Sequence, residues 1–219
     1  MELIRKVKET IGKYSMLSDG DRVLIGLSGG PDSVCLSAIL VKLRKEFNLS
    51  LFAVYVDHML RPSEAADEKR FCETFCSEFG ITFFCEQVDV REYAESEKTS
   101  KQEAGRELRY RVFDDIAKRH GLTKIALGHN ADDQAETFFI NLMRGSGRKG
   151  LAGIPPVRSI ELKAKSLESG LRKNILIIRP LIETERKEIE EFFLHKKGDP
   201  QIAPTVESLP FMTDSSNLK

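Results

Sequence analysis

Leu3, Val7 and Ile11 recur at four-residue spacing, which predicts an amphipathic helix over residues 2–17, stopped by Ser18, Asp19 and Gly20. Beyond it, short apolar runs alternate with helical stripes. Residues 22–27, 51–56, 81–90, 124–127 and 175–180 read as five strands. Residues 33–47, 64–79, 100–119, 131–143 and 185–196 read as the helices that follow them. Phe71, Cys72, Phe75, Cys76 and Phe79 form one apolar stripe, and Ser100 with Glu103 makes an S-x-x-E capping box. The charged stretch 91–99 reads as a mobile connection. Strands alternating with helices predict the α/β class: a doubly wound, mainly parallel five-stranded sheet with helices on both faces, and ligands outside the carboxyl ends of the strands.

Residues 1–20 are expected to form an N-terminal helix, residues 21–197 one catalytic domain, and residues 198–219 a tail rich in Pro, Ser, Thr and Asp. The natural polypeptide is expected to continue beyond Lys219. The apolar runs are too short and the first residues too charged for a membrane span or signal peptide, so the cytoplasm is the default expectation. Thirty-four basic residues balance thirty-four acidic ones, so a polyanion would have to be met by local patches rather than a global field. Cys35, Cys72, Cys76 and Cys85 form no CxxC pair and sit in apolar contexts, which predicts reduced core thiols. A cluster-binding role would need a distant third ligand beside Cys72 and Cys76.

The first strand runs into Ser28-Gly29-Gly30-Pro31-Asp32-Ser33, which opens a helix. Backbone N–H groups at a helix N-terminus after two glycines suit phosphate. The segment is neither a Walker A loop nor a dinucleotide fingerprint. Asp32 would repel phosphate unless a divalent cation lay between them. The plainer reading is an ordinary glycine turn. A second constellation, Gly128-His129-Asn130-Ala131-Asp132-Asp133-Gln134-Ala135-Glu136-Thr137, begins where the fourth strand ends. Asn130 is placed as an N-cap, and Asp133 and Glu136 share a helix face, as do Asp132 and Glu136. Such carboxylates suit a cation, or merely complement the helix dipole.

Three further segments carry candidate chemistry. Asp57 and His58 end the second strand, where Ala53–Val56 could form an adenine wall. Arg106 and Arg109 lie one turn apart on a helix and suit phosphate or transition-state charge. Residues 144–154, with Arg144, Arg148 and Lys149 among glycines, form a basic loop able to approach a nucleic-acid backbone.

In order, S-G-G-P-D-S, V-D-H-x-L-R, E-A-x-R-x-x-R-Y, G-H-N-A-D-D-Q-A-E-T, R-G-S-G-x-x-G-L-x-G-I, I-I-R-P-L and D-S-S-N resemble the PP-loop ATP pyrophosphatases, and within them the tRNA(Ile)-lysidine synthase family. The resemblance implies that Ser28, Gly29, Gly30, Pro31, Asp32 and Ser33 bind ATP. It makes Asp32 a Mg2+-linked acid, with Asp132 and Asp133 as further metal candidates. Asp32, Arg109, His129, Asp133 and Glu136 fall on positions used for catalysis or substrate binding, with Arg179 a weaker candidate. The partners implied are a tRNA(Ile) with a CAU anticodon and free L-lysine, with a homodimer among the assemblies open to it. A wobble cytidine would be adenylated by ATP and then attacked by lysine. The alternatives are another PP-loop tRNA-modifying enzyme such as a thiolase, disfavoured by the missing CxxC, or a non-catalytic nucleotide-binding module. Gly105 departs from the family's E-A-A-R, and the family continues past D-S-x-N into an Arg-rich segment and a tRNA-contacting region.

Overall fold

The computed structural model describes residues 2–60, 62–145, 147, 152–159 and 175–194. Its elements are α1 (Glu2–Lys13), β1 (Arg22–Gly26), α2 (Pro31–Leu43), β2 (Ser50–Asp57), α3 (Pro62–Glu78), β3 (Thr82–Gln87), α4 (Val90–Ser96), α5 (Lys101–Arg119), β4 (Lys124–Ala126), α6 (Ala131–Met143), β5 (Val157–Ser159), β6 (Leu176–Ile178) and α7 (Arg186–Leu194). The expected α/β class and largely parallel sheet are observed. The sheet has six strands and not five, in the order β3-β2-β1-β4-β6-β5. The added strand, β5, pairs antiparallel with β6, while every other pairing is parallel. Three residues of mixed polarity after two prolines gave no periodic signal for it.

Alternation along the strands divides the core. Val23, Ile25, Ala53, Tyr55, Ala126 and Ile178 face one layer with residues of α1, α2, α3 and α7. Leu24, Val54, Ile125 and Ile177 face the other with Phe113, Ile116 and Ala117 of α5. Both sheet faces are therefore covered, as a parallel sheet requires to shield its apolar strands. The adenine wall expected at Ala53–Val56 is largely core: Ala53, Val54 and Tyr55 are buried, and only Val56 keeps partial access.

The stretch expected to be mobile contains helix α4. Asp89 caps it by accepting from Glu92 N–H at 2.9 Å, and Val90 and Ala94, four apart, pack with Ala104 of α5. Two apolar residues among many charges were enough for one buried stripe. Ser100 caps α5 by accepting from Glu103 N–H at 3.1 Å, but the Glu103 carboxylate receives Thr99 Oγ1 at 2.7 Å in place of the reciprocal capping bond. No helix among the described residues is long and apolar enough to cross a membrane.

Candidate functional site

The strand order reverses between β1 and β4, and this switch point opens the crevice where ligands of such sheets bind. The segment leaving β1 is Leu27 to Gly30, and the one leaving β4 is Leu127 to Asn130. The two glycine-marked motifs of the sequence thus meet at one place. Gly128 permits this approach: a Cβ on it would lie 3.0–3.1 Å from the backbone of Asp32 and Ser33, so a larger residue would push the β4 exit away from the first turn of α2.

The loop after β1 is stitched by two serines. Ser28 N–H donates to Ser33 Oγ at 3.2 Å, Gly30 N–H to Ser28 Oγ at 3.4 Å, and Ser33 Oγ to the Gly30 carbonyl at 2.9 Å. The two hydroxyl oxygens lie 3.2 Å apart. Gly29 takes φ +81°, Pro31 occupies the first helical turn, and the N-cap Gly30 supplies no side-chain cap. The helix thus begins without a side-chain acceptor over its first amides, which leaves that role to an external anion.

Asp32 stands at this helix start, half-buried, and its Oδ1 is buried without a hydrogen-bond partner. Burial raises its pKa above the usual carboxylate range, with Asp133 and Asp132 adding to the rise and Arg186 and Asn130 opposing it. Arg186 Nη2 lies 3.7 Å from Asp32 Oδ2. Asn130, fully buried, meets no partner for its Nδ2 in good hydrogen-bond geometry, although its amide lies near enough to act on the Asp32 carboxylate. An orphaned carboxylate oxygen beside a phosphate-type loop fits Mg2+, which is held through one or two carboxylates plus phosphate oxygens and water. Among the described residues no group of three or more His, Cys, Asp or Glu is gathered to hold a metal alone.

At the N-terminus of α6, Asn130 Oδ1 accepts from Asp133 N–H at 3.0 Å and Asp133 Oδ2 from Asn130 N–H at 2.9 Å, closing a reciprocal capping box. Asp132 Oδ2 accepts from Arg186 N–H at 2.7 Å, tying α7 to the same turn. Glu136 lies exposed one turn further along α6. His129 is bound at Nδ1 by Arg179 Nε–H at 3.1 Å, and burial followed by the charge of Arg179 lowers its pKa to about 4. On α5, Arg109 Nη2 lies 3.2 Å from His58 Nε2; burial and then Arg109 hold that imidazole below its ordinary pKa as well. The Arg109 side chain stays accessible although surrounding protein depresses its pKa. Arg179, Arg106, Arg109 and Asp133 all lie near enough to His129 to act on its charge, as Asp133 and Asp132 do on Asp32.

Arg144 is exposed at the end of α6, whereas Ser146, Arg148, Lys149 and Asp214–Asn217 lie outside the described residues. Two contacts were not legible in the sequence. Gln134 clamps Ile154 on both sides, donating from Nε2 to its carbonyl at 2.7 Å and accepting its N–H at 2.6 Å. Gly153, beside this clamp, takes φ +69°, a left-handed conformation that favours glycine, and a Cβ there would press on Gln134 Oε1. Arg186, on α7, reaches Asp32 from a helix that carries no motif. The cysteines are free thiols as expected, with Cys35, Cys72 and Cys76 buried and Cys85 partly so. Burial pushes Cys76 up to about 12 and raises the others.

The PP-loop domain family matches residues 1–218. The chain is 38% identical over 224 residues to the tRNA(Ile)-lysidine synthase of Clostridioides difficile (strain 630), covering 97% of this chain and 45% of that protein. It is 40% identical over 203 residues to the tRNA(Ile)-lysidine synthase of Caldanaerobacter subterraneus subsp. tengcongensis, covering 93% of this chain and 40% of that protein. The chain therefore spans less than half the length of these curated relatives. Among solved structures, it superposes on the U34-tRNA thiolase NcsA from Methanococcus maripaludis with its 4Fe-4S cluster at a TM-score of 0.70 and 23% identity, covering 97% of this chain and 71% of that one. The NH3-dependent NAD synthetase from Campylobacter jejuni gives a TM-score of 0.50 at 13% identity, covering 93% and 76%. These two likenesses establish the fold alone. Because the family match runs across the whole sheet and not only the glycine turn at its centre, the chain belongs to the PP-loop domain family.

Proposed function

We propose that the chain carries the ATP-using chemistry of a tRNA(Ile)-lysidine synthase: ligation of free L-lysine to the wobble cytidine of a tRNA(Ile) with a CAU anticodon, giving lysidine, AMP and pyrophosphate. The observation that carries the reading is the meeting of the serine-stitched loop, the orphaned Asp32 Oδ1 and the His129–Arg179 pair at the sheet's switch point. That relatives matched over more than nine-tenths of this chain are named tRNA(Ile)-lysidine synthase supports a tRNA(Ile) as the substrate of this reading.

In this reading the loop from Ser28 to Ser33 receives the pyrophosphate half of ATP on the N-terminus of α2. Asp32 would hold Mg2+, which would supply neutralisation of charge at the pyrophosphate. Arg109, held against His58, adds a fixed positive charge where negative charge develops. Glu136 and the face of α6 it shares with Asp133 receive an ammonium group of lysine. Arg144, Arg148 and Lys149 approach the tRNA backbone. A thiolase is the weaker reading, because the described cysteines have raised pKa values and Cys35, Cys72 and Cys76 are buried, the opposite of a thiolate nucleophile or cluster ligand. The test combines the chain with ATP, Mg2+, labelled lysine and a tRNA(Ile) transcript. Lysine entering the RNA with stoichiometric pyrophosphate is expected; pyrophosphate release independent of both tRNA and lysine would refute the assignment.

A further inference from the structure

Arg179 is the largest fully buried side chain of the described residues, at 1% exposure, and it has no carboxylate against it. Its guanidinium donates from Nη1 to the Pro155 carbonyl at 2.6 Å, and its backbone N–H donates to the Pro156 carbonyl at 3.0 Å. Two prolines in succession have no N–H to offer, so this segment presents only acceptors, on a stiff backbone. With those contacts fixing the plane of the group, Nε–H points at His129 Nδ1, 3.1 Å away.

A guanidinium has donors and no acceptor, so His129 Nδ1 must present its lone pair, and the single proton of a neutral ring must sit on Nε2. Protonating Nδ1 would set two donors head to head beside a like charge. The groups that act on His129 are Arg179, Arg106, Arg109 and Asp133, three cations against one acid, and the ring is half-buried. With its only lone pair engaged, the imidazole can donate from Nε2 but cannot accept.

We propose that Arg179 is a positioning residue that fixes His129 as a neutral, Nε2-protonated imidazole, making His129 a hydrogen-bond donor to the reacting phosphoryl or carbonyl oxygen and not a general base. The catalytic half of this statement rests on the function proposed above; the tautomer does not. Preorganised donors aimed at an oxygen that gains charge are an efficient use of a neutral imidazole, because nothing need ionise during reaction.

The chain holds four histidines, so long-range 15N–1H correlation of histidine-labelled protein resolves them, and the signals lost in His129→Asn identify the ring. At pH 7, His129 should show the Nε2–H pattern with an unprotonated Nδ1. An Nδ1–H tautomer or an imidazolium at that pH would overturn the proposal without any variant of Arg179. In Arg179→Met, or in Arg179→Leu if the methionine variant is unfolded by circular dichroism, the tautomers should mix and the ring should charge nearer the ordinary histidine value. A ring that keeps its tautomer in a folded variant would show that Arg179 does not position it. Turnover gives the last readout: kcat for tRNA-dependent pyrophosphate release should fall by about 10-fold or more while KM for ATP holds, as for other outer partners that orient a reactive imidazole. A rise in KM with kcat unchanged would make Arg179 a binding residue and overturn the positioning role. Absence of tRNA-dependent release from the parent chain would refute the proposed function instead, with the tautomer measurement still deciding what Arg179 does.

Discussion

Acid should unfold this protein partly through His129, and the size of the effect follows from its surroundings. The folded ring titrates at about 4 against an ordinary value of 6.5, because burial and Arg179 disfavour the charged form. Above pH 6.5 the ring is neutral in both states and contributes no pH dependence. As pH falls from 6.5 towards 4, the unfolded chain takes up a proton that the folded chain refuses, so stability is lost across that window and levels off below it. Linkage puts the loss at about 2 kcal/mol by pH 5 and about 3 kcal/mol at the acid limit. His129→Asn removes the titration while keeping an amide oxygen near the place of Nδ1 for Arg179. Urea unfolding of parent and variant at intervals from pH 7.5 to 4.5 isolates the term, since other groups, including the raised Asp32, are common to both. The variant's relative stability should rise by about 2 kcal/mol between pH 7 and pH 5. Parallel stability curves would refute the reasoning and mean that the folded ring is solvated enough to titrate normally, while a relative fall in the variant's stability on acidification would mean that the folded ring is held charged.

Asp32→Asn should leave the circular dichroism spectrum intact and reduce pyrophosphate release by roughly 100-fold or more, because the buried Oδ1 loses its charge at the loop; unchanged release would remove Asp32 from the site. Gly105→Ala should raise stability to urea by about 0.5–1 kcal/mol. Its Cβ would meet Val90 Cγ2 at 3.7 Å and the His58 ring at 3.9 Å, which is ordinary contact, and a destabilised variant would show that the helix cannot accept it. Gln134→Leu should cost about 1–3 kcal/mol by stranding the N–H and carbonyl of Ile154, whereas a change within the scatter of urea titration would mean water replaces the clamp. Glu136→Gln should raise the lysine KM by about 10-fold with ATP affinity unchanged, less than the loss of a buried charge partner costs because Glu136 is exposed. Lost ATP binding with an unaltered lysine KM would move that acid to the metal site.

Periodicity recovered the elements whose burial is one-sided or complete. The four-residue repeat of Leu3, Val7 and Ile11 and the apolar run of β1 both map onto buried positions. It failed where an element is short and its partner distant in sequence. β5 is specified by pairing with β6, a relation between Val157 and Ile178 that no local window contains. The helix α4 was hidden for a related reason, since its two buried residues are outnumbered by charges facing water. At the site, glycine-marked turns and the Asn130 cap were legible because backbone constraints select particular residue types. The Arg186–Asp32 and Gln134–Ile154 contacts were not, because arginine and glutamine suit exposed helix positions equally well and only the fold shows what they meet.

The acids of α6 illustrate how a pattern can be right about place and incomplete about use. Asp132, Asp133 and Glu136 read as one carboxylate cluster, yet Asp132 Oδ2 is bound by the Arg186 backbone and Asp133 Oδ2 by the Asn130 backbone. Each of these carboxylates thus spends one oxygen on a backbone N–H that the helix start or its neighbour would otherwise leave unmet. Their remaining negative charge still reaches Asp32, whose pKa both of them raise. The consequence is a division of labour along one helix. The first turn fixes geometry and sets the electrostatic environment of Asp32, while Glu136, one turn away and exposed, keeps its carboxylate accessible, as the proposed lysine site requires. A divalent cation held by Asp32, as proposed, would take the rest of its shell from phosphate and water, because the neighbouring acids are partly engaged. Cation and nucleotide should therefore bind to this loop together, each supplying ligands or charge that the protein alone provides only in part.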